Sequence, residues 1–115
     1  MTELSKTIFN LSLSTATLFV TAFLWSEPAW LSVALFTLGI AMMFVEGSKS
    51  TIIIYLIAFI FGPLSEAIAI YFGAWSYTTP QIFGFPAWLP FVWGNAALFV
   101  NRLIIYIRYM FSYLN

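Results

Sequence analysis

Ile52-Ile53-Ile54-Tyr55-Leu56-Ile57-Ala58-Phe59-Ile60-Phe61-Gly62-Pro63-Leu64-Ser65-Glu66-Ala67-Ile68-Ala69-Ile70-Tyr71-Phe72 is an apolar run with a single charge in it. It has the ~20 residues that a helix needs to cross a bilayer. Its one charge, Glu66, is followed by no other until Arg102. A charge at membrane depth costs several kcal/mol and marks a functional site by default. Working outward, three more segments of similar length emerge. The four spans are about Thr7 to Trp25, Ala29 to Val45, Thr51 to Phe72 and Ala87 to Met110. Ser26-Glu27-Pro28 makes a tight turn with proline at a helix start. Gly47-Ser48-Lys49-Ser50 joins the second and third spans, with Ser50 as the expected N-cap. The expected fold is therefore all-α, a polytopic four-transmembrane-helix bundle forming one domain over 1–115. Pro63 should kink its third helix.

Composition supports the same class. The chain is 63% hydrophobic and 7% charged, with mean hydropathy +0.98, whereas soluble domains carry about 25% charged residues. A soluble domain of 115 residues has too little interior to hide that much apolar surface. Net charge is zero, which gives nucleic acid no electrostatic footprint. Cysteine and histidine are both absent, so disulfides, thiolate metal sites, cysteine nucleophiles and histidine bases are excluded. No cofactor or metal is expected, because a carboxylate-only metal site needs more acids than Glu66 and distant Glu46.

The cations set an orientation. Lys6, Lys49, Arg102 and Arg108 all fall toward one side of a four-span bundle. The positive-inside rule then predicts a multi-pass cell-membrane protein with both termini cytoplasmic and the long Gly73–Pro86 connection outside. Asn10, Ser12, Ser14, Thr15 and Thr17 make the first segment too polar for a cleaved leader, so it reads as a retained helix.

Helical spacing gathers the polar groups into seams: Asn10, Ser14, Thr17 and Thr21 on the first helix, and Ser32, Gly39 and Glu46 on the second. Gly62, Glu66, Ala69 and Gly73 share a face of the third helix with Tyr55, and Asn95, Arg102 and Tyr106 align on the fourth. Such seams serve helix packing in any membrane bundle. Depth counting at ~1.5 Å per residue puts Asn95 level with Glu66 and names it as the carboxylate's partner. Arg102 is deeper and pairs better with Glu46, as a structural ion pair. Gly62-Pro63 beside Glu66 suggests a cavity opening outward, because irregular backbone in membranes occurs where it lines one.

The connection Gly73-Ala74-Trp75-Ser76-Tyr77-Thr78-Thr79-Pro80-Gln81-Ile82-Phe83-Gly84-Phe85-Pro86 is uncharged and rich in aromatics. It suits either an interfacial aromatic belt, with Trp75, Tyr77, Trp88 and Trp93 at headgroup level, or a cap folded over the Glu66 cavity. The succession Glu66, Gly73, Trp75, Tyr77, Gly84, Pro86, Leu89-Pro90 and Trp93 resembles a region of multispan carotenoid-biosynthesis membrane proteins, of the heterodimeric lycopene cyclase and carotenoid hydratase types. It also resembles small bacterial and archaeal membrane families with an acid ahead of a Gly-aromatic turn. The likeness covers about the second half of the chain. It implies that Glu66 is an active-site or ligand-facing acid, with Trp75, Tyr77 and Trp93 flanking an isoprenoid chain. Those enzymes usually have more spans and more acids than this chain.

Three functions are compatible with these features. The first is binding or modification of a lipid- or isoprenoid-type ligand around Glu66, with Glu66 as proton donor and Asn95, Trp75, Tyr77, Trp93 and Tyr55 lining the site. A carboxylic acid in a dry pocket suits chemistry that begins with protonation of a double bond. The second is a small dimeric proton-coupled transporter. The third is a non-catalytic accessory subunit of a membrane complex. Membrane lipid is a partner in all three; an isoprenoid-like ligand, a second copy or a partner subunit distinguishes them.

Overall fold

A computed structural model describes residues 1–114. It contains four helices: α1 (Glu3–Leu24), α2 (Pro28–Glu46), α3 (Ser50–Tyr71) and α4 (Leu89–Leu114). Each is long and apolar enough to cross a membrane, so this is a multi-pass membrane protein of the expected all-α class. Among the described residues the only strand-like feature is an isolated bridge between Ile82 and Phe85.

Helix ends follow local chemistry. Thr2 caps α1 through its side chain, which accepts from the Ser5 N–H. Pro28 opens α2 where its missing N–H costs nothing. Gly47 closes α2 at φ +73°, a left-handed turn that glycine adopts without strain. The next helix start differs from expectation: Ser50 is already the first residue of α3, Lys49 stands at the N-cap without a side-chain cap bond, and the Ser48 hydroxyl accepts the Ser50 N–H. α3 runs on through Pro63 without ending there.

α4 is the hub, packed against each of the other three helices. α3 leans almost wholly on α4, and α1 and α3 do not touch. Two glycines make the central contact: Tyr55 of α3 lies in a slot between Gly39 of α2 and Gly94 of α4. A Cβ on Gly94 would stand 2.3 Å from the Tyr55 ring. Phe91 then meets Phe36 and Phe59 edge-on, at 6.0 and 5.1 Å between centroids, tying α2, α3 and α4 together.

The polar seam of α1 is mostly satisfied within its own helix. Thr7, Thr15, Thr17 and Thr21 each donate to the carbonyl four residues back. Asn10 reaches across to the Leu98 carbonyl, and Asn95 donates to Thr17 and to the Leu35 carbonyl. These are the interhelical bonds that hold α1, α2 and α4 in register.

The expected Glu46–Arg102 pair is present, with Nη1 donating to Glu46 Oε2 at 3.1 Å. Glu3 joins it from the first turn of α1, on Nη2. Arg102 is 1% exposed, so one buried guanidinium is shared by two carboxylates. Removing one partner of a buried pair leaves the other charge stranded, at about 3–5 kcal/mol. Arg102→Met should lose about that much in a denaturation titration. Adding Glu46→Leu should recover a large part of the loss.

Candidate functional site

Glu66 lies four turns along α3 and faces α4, half-buried. Two donors converge on it. The Tyr77 hydroxyl donates to Oε1 at 2.5 Å, and the Trp93 indole N–H donates to Oε2 at 2.5 Å. One comes from the aromatic loop and the other from α4, so a single carboxylate ties three parts of the chain together. Burial, and then the bond to Glu66, push the Tyr77 phenol above its usual 10.0. It therefore keeps its proton and stays a donor at neutral pH.

Trp93 can reach Glu66 because α3 has glycine opposite it. A Cβ on Gly62 would stand 2.1 Å from the Trp93 ring, so only glycine leaves room for the indole. Ser65, one turn on, donates to the Gly62 carbonyl at 2.6 Å.

Asn95, expected beside Glu66, is elsewhere. It is buried against α1 and α2 on its bonds to Thr17 and Leu35. The depth match was sound but the direction was not: Asn95 is two residues from Trp93, which is about 200° around a helix. Tyr55 is likewise remote, enclosed in its glycine slot about 16 Å along α3 from Glu66. Trp75 stands exposed on the loop and touches neither oxygen. Of the expected site residues, the structure brings together Glu66, Tyr77 and Trp93.

The aromatic loop folds down over the end of the bundle. Phe85 and Trp88 are buried against Leu31, Leu35 and Leu89, and the Trp88 indole donates to the Trp25 carbonyl at 3.1 Å. Trp88 is thus an interior side chain rather than a member of an interfacial belt, while Trp93 is half-buried on its bond to Glu66. Phe83 and Gly84, both at positive φ (46° and 86°), form the tip between the bridged Ile82 and Phe85. Two successive positive φ values are the signature of a hairpin turn that normally takes Asn-Gly. Gly84 fits there, since a Cβ would meet Ile70 at 2.7 Å.

Between this hairpin and α3 runs an open groove of about 770 Å³. Pro63, Ala67 and Ile70 form one wall, and Phe83, Phe85 and Pro90 belong to the other. Apart from the Tyr71 phenol, every lining side chain is apolar. Glu66 is not among them; it faces α4, roughly 100° around α3 from Ala67. Among the described residues no cluster of acids could hold a metal ion. Set against protein families, curated proteins and solved structures, the chain matches none.

Proposed function

We propose that this protein binds a lipid- or isoprenoid-type apolar molecule in the groove between α3 and the aromatic loop. Glu66 acts by holding the loop in place from behind. The observation that carries this reading is the groove itself: about 770 Å³ of almost wholly apolar wall, within the size of small-molecule sites. With the Tyr71 phenol as its one polar lining side chain, it suits a hydrocarbon chain better than a polar substrate. Phe83 adds support, because a bulky residue at φ 46° is strained and is 85% exposed at the groove lip. Strain of this kind, of order 1–3 kcal/mol, clusters at ligand clamps.

On this reading Glu66 is a clamp rather than a proton donor, since each carboxylate oxygen already accepts from a neighbour. The cation distribution further supports cytoplasmic termini and a groove open to the outer leaflet. Filling the groove tests the proposal. Leu64→Trp, at an exposed position on the groove wall, should leave the helices and the Glu66 contacts intact. It should reduce the copurifying apolar ligand, extracted and weighed against protein, at least about tenfold, as expected for a blocked pocket. Equal ligand in both proteins would refute the assignment of the groove.

A further inference from the structure

Asn101 is a polar side chain in the middle of α4 that the bundle does not employ. Asn10 and Asn95 use their amides to bond neighbouring helices. The Asn101 amide, half-buried, has no partner among the described residues. It lies about 18 Å along α4 from Leu89 and about 10 Å short of Arg108, hence within the hydrocarbon. Lipid tails offer an amide nothing, and an unsatisfied polar group there is costly.

Asn101 also sits at a structured place. Two adjoining hollows of about 410 and 440 Å³ run along the open side of the α3–α4 pair, sharing Ile54, Ala58, Trp93 and Ala97. Asn101 and Ile104 line the inner end. Ala97, Asn101, Ile104 and Arg108 recur at helical spacing and form one stripe of α4. Beside it the small side chains of Ala58, Ala96 and Ala97 line the hollow, and small side chains let another helix approach closely.

We propose that this face is a homodimer interface in which the Asn101 amides of two copies hydrogen-bond each other. The occupant follows from symmetry and chemistry. Two copies inserted the same way are related by a two-fold along the membrane normal, which puts both Asn101 side chains at the same depth. An amide is its own complement, with a donor and an acceptor, so the pair satisfies both residues. A different protein would need its own polar group at that level. The two Arg108 side chains fall at the end of the stripe, where solvent and salt screen their repulsion.

The chain has no cysteine, so single-cysteine variants report cleanly. Ala97→Cys and Ile104→Cys should cross-link to dimers on oxidation in native membranes. Val33→Cys, exposed on the outer face of α2, should not. Energy transfer between labelled copies in phosphatidylcholine vesicles gives the affinity. Asn101→Leu should raise the dimer dissociation constant about tenfold, as for one or two membrane hydrogen bonds, and Asn101→Gln should raise it less. Cross-linking no greater than at Val33, a heterologous protein captured at position 104, or an affinity untouched by Asn101→Leu would each overturn the proposal.

Discussion

Gly62→Ala is expected to expel Trp93 from its seat and release the aromatic loop. The added methyl would lie 2.1, 2.3 and 2.6 Å from three atoms of the indole, well inside contact distance. α3 and α4 must then separate, or the indole must swing out. Overpacking of this kind costs about 1–3 kcal/mol. If the indole swings, its N–H also leaves the Glu66 carboxylate, and a hydrogen bond to a charged group is worth about 1.5–3 kcal/mol. The combined loss should be about 3–5 kcal/mol, read as unfolding free energy in bicelles or micelles. Trp93→Phe separates the two parts, because it removes the N–H while keeping a ring over Gly62. It should cost only the hydrogen-bond share. Wild-type stability in Gly62→Ala would mean that Trp93 does not rest on Gly62.

The second large effect is at Glu66, where two substitutions should diverge. Glu66→Ala leaves the Trp93 N–H and the Tyr77 hydroxyl without their acceptor. At about 1–3 kcal/mol for each stranded donor, roughly 3–4 kcal/mol should be lost and the loop should become protease-sensitive. Glu66→Gln should be milder. The indole N–H can only donate, so it takes the amide oxygen; a phenol can accept, so Tyr77 receives from the amide nitrogen. Both bonds survive without their charge assistance, for a loss of about 2 kcal/mol, smaller than that of Glu66→Ala. Ligand retention should follow the same order, kept in Gln and lost in Ala. A proton donor would behave otherwise, since Gln and Ala are equally unable to give up a proton.

Much of the architecture was legible because a bilayer imposes simple rules. Apolar length gives the spans, and proline and glycine mark the turns at Pro28 and Gly47. Glu46 and Arg102 could be paired because only a cation and an anion at similar depth satisfy each other. Glu3 was not paired with them, as it precedes the apolar run and its reach to Arg102 depends on how α1 crosses α4. The Glu66 site was half legible. Its three members each stood out by residue type, but depth counting is blind to azimuth, so Asn95 was set where Trp93 belongs. The glycines show the same limit. Spacing put Gly39 and Gly62 on seams, yet only the assembled bundle shows each leaving room for a particular ring, Tyr55 or Trp93. The groove was least legible, since its walls are ordinary lipid-facing residues until the Phe83–Gly84 turn folds a hairpin beside them.

Replacing Phe83 with photoreactive benzoylphenylalanine, irradiating native membranes and identifying the adducts by mass tests the central claim most directly. The account predicts one class of apolar molecule, enriched far above its share of the membrane and lost in Leu64→Trp. Adducts that mirror the bulk lipid composition in both proteins would contradict it, and would make the groove a surface that ordinary lipid covers.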